Sequence, residues 1–289
     1  MFIKETMVDF PKNYKIIVFL LGLLLIFNLF VWFFIFDGGR QAAELDFLNV
    51  GQGDASLISF PQSGKILVDA GPDRSILKSL GKVQKFFDKN IDVLILSHAN
   101  LDHYAGFFEV LKHYEPRIFA YNGFDTQNQT FQNLLNLLEE RKVVVVRLLA
   151  GDKIRIGRDV FKIISPSAGF NQKDLNKSSL AFQLNINNFK ILFLGDAEAD
   201  FIERIGDDLK SDILKVSHHG SKSGTDEILI NLIAPKIALI GVGKNNPFHH
   251  PAEAVLDLLK NAGIDIFRTD EKGTIRIIFD EDLRIKTFF

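Results

Sequence analysis

Histidines in this chain are grouped. Six of the seven form three pairs, each shortly after an apolar run (VLILS, DILKVS or IALIGV): His98 and His103, His218 and His219, and His249 and His250. The seventh, His113, lies in a helix-like segment and is predicted to be a surface or packing residue. Neutral imidazole is a common ligand of transition metals. The three pairs therefore predict a divalent metal site built from several segments of the chain.

Aspartates occupy the same kind of position as the histidines. Asp69 closes the run KILVDAG, Asp102 lies inside SHANLDH, and Asp196 closes KILFLGDA. Carboxylates bind divalent ions together with imidazole and can bridge two ions. For Asp69 taken alone, capping a turn at a strand end is an equal alternative. The combined pattern favours a metal site with both kinds of ligand.

These residues are far apart in sequence, so the fold must bring them together. Apolar runs such as KILVDA, DVLILS and KILFLGD are typical of strands. Amphipathic helical patterns lie between some of the runs, including SILKSLGKVQKFFDKN (75–90) and ADFIERIGDDLK (199–210). The alternation predicts an α/β domain with sheets covered by helices, and α/β folds gather functional groups at their strand ends.

Composition excludes several kinds of chemistry. The chain of 289 residues has no cysteine, which removes disulfides, thiolate metal ligands and a cysteine nucleophile. Its 34 Lys and Arg against 36 Asp and Glu are typical of an ordinary folded protein. The overall charge therefore indicates no particular partner.

An apolar segment near the N-terminus is long enough to cross a membrane. Residues 16–36 are 21 residues with Asn28 as their only strongly polar member, and about 20 apolar residues span a bilayer as a helix. The alternatives are a buried core helix and a cleaved signal peptide, although the apolar run exceeds the roughly 7 to 15 residues usual in a signal peptide. We predict a cytoplasmic tail (1–15), a transmembrane helix (16–36), a linker (37–43) and a soluble domain (44–289).

The charges around this segment predict its orientation. Lys4, Lys12 and Lys15 precede it, and the nearest cation after it is Arg40. The positively charged side of a single span stays in the cytoplasm. We therefore expect the soluble domain to lie outside the cytoplasmic membrane, with lipid contacting the N-terminal helix.

An ordered set of motifs resembles a known family. ILVDAG, SHxxxDH, FLGDA, VSHHGS and FHHP follow one another as in metallo-β-lactamase fold hydrolases, and LNVGQGDASLI is similar to the ComEC/Rec2-related bacterial competence proteins, specifically their C-terminal hydrolase domain. The resemblance covers residues 44–289. It implies a four-layer αββα sandwich with the site at one edge between two sheets, here as a stand-alone domain preceded by one transmembrane helix.

The resemblance also implies roles for individual residues. It makes His98, Asp102 and His103 metal ligands, Asp196 a bridging carboxylate, and His218 or His219 a further ligand. His250 becomes a ligand from late in the chain or a phosphate contact. Asp54 and Asp69 orient the ligands without themselves binding the metal. Lys222 and Ser221, in the loop HHGSKSG, could donate hydrogen bonds to a phosphate. For Lys222, a solvated loop lysine is an equal alternative.

Three positions depart from the family pattern. Asn100 stands where the family has a second histidine, Asn49 replaces the aspartate of the competence branch, and Asn176 lies near the place of a missing midway histidine. Amide oxygen is a weaker ligand than imidazole or carboxylate. We therefore expect one tight and one weak position for a divalent ion, Zn²⁺ or Mn²⁺, with the added oxygen ligands favouring Mn²⁺.

The leading hypothesis is a metal-dependent phosphodiesterase or nuclease acting on DNA, single-stranded DNA above all, in a DNA-uptake machinery. A bound divalent ion lowers the pKa of its water from 15.7 toward about 7 and so provides hydroxide at neutral pH. One alternative is hydrolysis of a lactone, an amide or a β-lactam. Another is a weakened module that binds DNA or a partner without catalysis, which Asn49 and Asn100 favour. The sequence predicts no oligomeric state.

Overall fold

The computed structural model describes residues 13–36, 42–61, 63–85, 87–124, 126–169, 174–206 and 208–289. The chain divides into two compact units at Gln41, and the second, Ala42–Phe289, is the α/β domain. The predicted tail (1–15) and linker (37–43) lie largely outside the described residues. Those boundaries therefore stay predictions.

The N-terminal apolar segment forms helix α1 (Tyr14–Phe36). Its stretch Tyr14–Trp32, 19 residues with a mean hydropathy of 2.5, is long and apolar enough to cross a membrane. The helix begins two residues before the predicted start of the span, since Tyr14 and Lys15 continue the same helical backbone.

The described part of the α/β domain contains fifteen strands. In chain order they are β1 (Ala43–Phe47), β2 (Ser56–Phe60), β3 (Gly64–Val68), β4 (Val93–Ile95), β5 (Ile118–Tyr121), β6 (Val144–Arg147), β7 (Lys153–Ile156), β8 (Asp159–Ser165), β9 (Ala181–Ile186), β10 (Phe189–Phe193), β11 (Ile213–Lys215), β12 (Ile237–Ile240), β13 (Asp265–Arg268), β14 (Thr274–Phe279) and β15 (Leu283–Phe288).

Helices lie between the strands. They are α2 (Ser75–Val83), α3 (Leu101–Tyr104), α4 (Phe107–His113), α5 (Gln129–Glu140), α6 (Ala199–Glu203), α7 (Glu227–Ile233), α8 (Glu253–Asn261) and α9 (Thr269–Lys272), with a 3₁₀ turn at Ser217–Gly220.

The strands form two sheets, in the orders β15-β14-β1-β2-β3-β4-β5-β6 and β13-β12-β11-β10-β9-β8-β7. Pairing is antiparallel from β15 to β3 and from β7 to β10. It is parallel from β3 to β6 and from β10 to β13. Each sheet therefore has a parallel half, whose strands all end at the same edge.

Apolar side chains join the sheets and helices in four layers. Phe47 of the first sheet and Phe182 of the second lie in the core between the sheets. Phe107 and Phe131 pack α4 and α5 on the outer face of the first sheet, and Leu229 belongs to the cluster beneath α6, α7 and α8 on the second. The predicted αββα sandwich is confirmed.

Two of the predicted helices are shorter than their patterns. Helix α2 ends at Val83 because Gln84 is extended, at φ −98° and ψ 150°, rather than continuing to residue 90. Helix α6 ends at Glu203 rather than residue 210, and Gly206 then takes a φ of 73°. A left-handed glycine is a common way to leave a helix.

Candidate metal centre

The candidate site lies where the parallel halves of the two sheets end. Asp69 follows β3 and His98 follows β4 in the first sheet, whereas Asp196 follows β10 and His219 follows β11 in the second. β3 pairs with β4 and β10 with β11 in parallel. Because the carboxyl ends of parallel neighbours meet at one edge, residues far apart in sequence come together there.

Four imidazoles surround one oxygen of Asp196. Asp196 Oδ2 lies 3.7 Å from His98 Nε2, 3.4 Å from His103 Nε2, 3.8 Å from His218 Nε2 and 3.9 Å from His219 Nε2. His98, His103, His219 and Asp196 are all buried. The structure therefore brings the first two predicted histidine pairs together around this aspartate.

Asp102 faces this cluster of Asp196 and four imidazoles from the side that is open to solvent. Its Oδ2 lies 3.2 Å from His219 Nε2 and 3.9 Å from His103 Nε2, and 35% of its side chain is exposed. Asp102 lies in the first turn of α3. Asp102 is thus a ligand candidate that meets solvent, whereas Asp196 is enclosed.

Outer contacts turn the Nε2 atoms of two histidines toward the cluster. His103 Nδ1 lies 3.0 Å from Asp69 Oδ2, and His219 Nδ1 lies 2.8 Å from the carbonyl oxygen of Gly241. Asp69 is itself held by Ser97, whose backbone N–H and hydroxyl both donate to it at 2.8 Å. Such partners fix the ring orientation of a ligating histidine and leave its other nitrogen for the metal.

The 3₁₀ turn at Ser217–Gly220 separates the two histidines of the second pair. His218 (φ 47°, ψ 48°) and His219 (φ 54°, ψ 23°) are both left-handed, a costly conformation for a residue with a Cβ atom. His219 points into the buried cluster, whereas the ring centroid of His218 lies 5.8 Å from that of His250. The sequence left open which of the pair faces the site; both place Nε2 within 3.9 Å of Asp196 Oδ2, His219 from a buried position and His218 from a partly exposed one.

Lys215 is a buried charge at the site that sequence reasoning missed. Its ammonium forms an ion pair with Asp54, lies 3.8 Å from Asp196 Oδ1 and donates to the carbonyl oxygen of Gly195 at 2.8 Å. Burial opposes the charge on Lys215, but Asp54 and Asp196 outweigh it and raise its pKa. The sequence feature that indicates it is a lone lysine inside the apolar run DILKV. A lysine in a buried strand needs an acidic partner.

The electrostatics suit a cation-binding site. Burial, together with neighbouring His103, lowers the pKa of His98 to about 3. Burial also opposes a charge on His103, but the carboxylates of Asp196 and Asp69 raise its pKa well above the usual value. For Asp196, burial is outweighed by His103 and His219, which hold its pKa well below the usual value. Asp196 is therefore an ionised acceptor inside the cluster.

The residues fit a divalent metal ion. Ligand atoms of Asp54, His103, Asp196 and His219 all lie within 4.8 Å of one another. Among the described residues, the buried Nε2 atoms of His98 and His103 have no hydrogen-bond partner. Buried polar atoms are normally satisfied, and a metal ion would satisfy these. Imidazole and carboxylate donors suit Zn²⁺ and Mn²⁺.

The three asparagines that depart from the family pattern have structural partners. Asn100 Nδ2 donates to Asn176 Oδ1 at 2.8 Å. Asn49 lies outside the cluster, where Nδ2 donates to the carbonyl oxygen of Thr269 at 3.0 Å and Oδ1 accepts from Gly51 N at 3.2 Å. Asn49 therefore stabilises the backbone of the loop that carries Asp54, whereas Asn100 and Asn176 bind each other beside the site.

The remaining predicted site residues lie at the rim. His250 is partly buried against His218, and burial together with His218 and His219 lowers its pKa. Lys222 and His249 are exposed, and Ser221 Oγ lies 3.1 Å from Ser223 Oγ. His113 is exposed at the end of α4, as predicted for a surface residue. The ligand and phosphate-binding roles of the rim residues stay predictions.

Comparison with known proteins agrees with this geometry. Residues 48–167 match the metallo-beta-lactamase superfamily. The chain is 32% identical over 276 residues to ComE operon protein 3 of Bacillus subtilis (strain 168), covering 88% of this chain and 35% of that protein. The chain contains a metallo-beta-lactamase domain. The predicted resemblance is confirmed.

Two further proteins are similar to this metallo-beta-lactamase domain. Recombination protein 2 of Haemophilus influenzae (strain ATCC 51907 / DSM 11121 / KW20 / Rd) is 30% identical over 262 residues, covering 83% of this chain and 29% of that protein. These curated homologues are ComEC/Rec2-related competence proteins, and the chain spans about a third of their length. The metallo-beta-lactamase fold protein YhfI from Bacillus subtilis, 12% identical, has a TM-score of 0.55 over 79% of this chain and 96% of its own, which shows the shared fold.

Proposed function

We propose that this chain is a membrane-anchored, metal-dependent phosphodiesterase that cleaves DNA outside the cytoplasmic membrane. The observation that carries the proposal is the convergence of four imidazole Nε2 atoms on Asp196 Oδ2, at 3.4 to 3.9 Å. Two of these imidazoles are oriented by Asp69 and by the Gly241 carbonyl. Imidazoles oriented in this way are in position to bind a cation.

His103, His219, Asp102 and Asp196 would hold the tight ion, and His98 would contribute to a weaker second position. When bound, a divalent ion supplies a Lewis acid and an acidified water. Asp102, partly exposed, would be a metal ligand on the side from which substrate enters. Lys222 and Ser221, on the loop that follows His219, offer cationic and hydroxyl donors to phosphate oxygens.

Similarity to competence proteins supports DNA as the substrate and a DNA-uptake machinery as the setting. The apolar helix α1 supports a membrane anchor, and the lysines that precede it support a cytoplasmic N-terminus. Single-stranded DNA is the favoured substrate.

The test uses the full chain purified in detergent. Bound metal is counted by inductively coupled plasma mass spectrometry, and turnover is measured on a labelled single-stranded oligonucleotide, on bis-p-nitrophenyl phosphate and on a chromogenic β-lactam, with Zn²⁺ or Mn²⁺. Asp102→Ala should lower DNA cleavage by more than about 100-fold, the upper end of the losses seen when only an outer contact of a metal ligand is removed. Asp265→Ala is the matched control, since Asp265 is exposed at the first residue of β13, a strand of the parallel half.

The outcomes separate the candidate functions. Metal-dependent DNA cleavage that is lost in Asp102→Ala and kept in Asp265→Ala supports the proposal. Turnover of the β-lactam alone overturns it in favour of ring hydrolysis. A protein that binds DNA but holds no metal and cleaves none of the three substrates is a binding module.

A further inference from the structure

One exposed aromatic side chain stands at the rim of the metal centre. The rim loop, residues 243–250, follows β12 and carries Phe248, whose side chain is 64% exposed. Single exposed apolar residues are common on protein surfaces, so the exposure alone carries no conclusion. The conformation of the loop and the neighbours of Phe248 indicate a role for this side chain.

Hydrogen bonds hold the rim loop in one conformation. Asn246 Nδ2 donates to the carbonyl oxygens of Gly243 and His250 at 3.1 and 2.7 Å, and Asn246 Oδ1 accepts from His250 N at 2.9 Å. Ala252 N donates to the carbonyl oxygen of Gly220 at 2.9 Å, which ties the end of the loop to the turn that bears His219. Phe248 is thus presented from a fixed backbone, so little entropy is lost when a ligand stacks on it.

Aromatic rings connect Phe248 to the metal centre in steps. The Phe248 ring is stacked on that of His250, with centroids 6.0 Å apart and planes at 18°. The next ring, His218, is 5.8 Å from His250, and its Nε2 is 3.8 Å from Asp196 Oδ2. The exposed Phe248 ring is therefore linked through His250 to His218, one of the four imidazoles around Asp196.

Cations stand on the same rim. Lys244 in the rim loop and Lys222 in the loop after His219 are both exposed. Neither forms a salt bridge with another residue in the described ranges. Proteins bind single-stranded nucleic acid by stacking bases on exposed aromatic rings and by neutralising the phosphates with cationic side chains.

We propose that Phe248 is a stacking platform for a nucleobase of single-stranded DNA next to the phosphodiester held at the metal centre. The inference rests on the proposed phosphodiesterase function, which it deepens by assigning a base-binding subsite. Lys222 and Lys244 contact backbone phosphates of the same strand. The subsite accepts any base, since every base has a face that stacks.

The experiment separates base contacts from phosphate contacts. Binding of two fluorescent 12-mers to the full chain in detergent is measured by anisotropy at fixed salt: an oligothymidylate, and an oligomer of abasic tetrahydrofuran units with the same phosphates. Phe248→Ala should weaken oligothymidylate binding at least about fivefold and leave the abasic oligomer unchanged. Phe248→Trp should keep or strengthen the preference for bases, whereas Lys222→Ala should weaken binding of both oligomers alike.

Phe87→Ala is the matched control, because Phe87 is also an exposed phenylalanine, 86% exposed, but precedes the amino end of β4 rather than its carboxyl end at the site. It should leave both affinities unchanged. Equal loss of both oligomers in Phe248→Ala, no loss of either, or no binding of oligothymidylate by the wild type overturns the inference.

Cleavage of oligothymidylate, measured in parallel, distinguishes this inference from the function on which it rests. Base-dependent binding through Phe248 without any cleavage would keep the stacking subsite and remove the phosphodiesterase. Cleavage that Asp102→Ala abolishes, with affinities unaffected by Phe248→Ala, would keep the phosphodiesterase and remove the subsite.

Discussion

Orientation of imidazoles decides whether a group of buried histidines can bind a metal. In this domain His103 Nδ1 contacts Asp69 Oδ2, and His219 Nδ1 contacts the carbonyl oxygen of Gly241. Both therefore direct Nε2 toward Asp196, the enclosed carboxylate. Asp69 acts through His103 and is in this sense a positioning residue.

Asp69→Asn should weaken metal binding without removing a metal contact. Its carboxylate holds His103 and also accepts two hydrogen bonds from Ser97, so an amide would lose the charge and part of this network. We expect metal affinity, measured by competition with a fluorescent chelator, to fall by about 10- to 100-fold. The control is Asp92→Asn, at the other end of β4, where Asp92 accepts from Lys65 N; an equal loss in both variants would contradict the positioning role.

Asn100→His should strengthen the weaker metal position. The present side chain donates to Asn176, a contact worth about 1 kcal/mol, and imidazole is a better metal ligand than an amide. We expect more metal per chain at the same free concentration, measured by mass spectrometry after equilibrium dialysis. Unchanged stoichiometry would count against a second position beside His98.

The segment that carries Asp102 and His103 is positioned by close contacts between backbone segments. Helices α3 and α4 lie against the loop after β3, where Ala70 N donates to the His103 carbonyl oxygen at 2.7 Å and Gly106 N donates to that of Gly71 at 2.9 Å. A Cβ atom on Gly106 would lie 2.0 Å from the Ala70 carbonyl oxygen. Glycine at this position is what lets the helix that carries Asp102 reach the end of β3.

Gly106→Ala should therefore destabilise the domain and weaken metal binding together. The backbone must shift to relieve the contact, at a cost of about 1–3 kcal/mol typical of overpacking, and His103 shifts with it. Thermal unfolding followed by circular dichroism, with and without metal, measures both effects. The control is Gly81→Ala inside α2, where an added Cβ atom meets open space. This variant should raise the free energy of unfolding by up to about 1 kcal/mol.

At the scale of the whole molecule, both ends of the α/β domain meet in one sheet. β1 pairs with β14 along its full length, and Arg276 of β14 donates to both carboxylate oxygens of buried Asp46 in β1 at 2.6 and 3.0 Å. The candidate site depends on both sheets, because each sheet supplies candidate ligands at the edge between them. Helix α1 belongs to a separate unit.

Single cysteines can report the orientation of the chain, since it has none of its own. Glu281→Cys lies in the exposed turn between β14 and β15, and Lys4→Cys lies before the apolar segment. In intact bacterial cells, a membrane-impermeant maleimide should label Glu281→Cys, whereas Lys4→Cys should react only after permeabilisation. The reverse pattern would place the domain in the cytoplasm.

The four-layer arrangement was implied by the resemblance of the ordered motifs to a known family. The sequence by itself determined the kinds of candidate ligand, their place at strand ends, the α/β class of the domain and the apolar N-terminal helix. These features follow from residue type and from apolar periodicity over short stretches, which are visible without distant contacts. The paired histidines and the ordered motifs were enough to predict the residues that gather around Asp196.

Only the tertiary structure decided how those residues face one another. Both histidines of the second pair reach Asp196, one from a buried and one from a partly exposed position, and this depends on two consecutive left-handed residues in one turn. The contact between Asp102 and His219 joins positions 117 residues apart, and the partner of Asp54 is a lysine from the other sheet. Such choices depend on backbone geometry and on contacts between distant segments, which local sequence patterns do not contain.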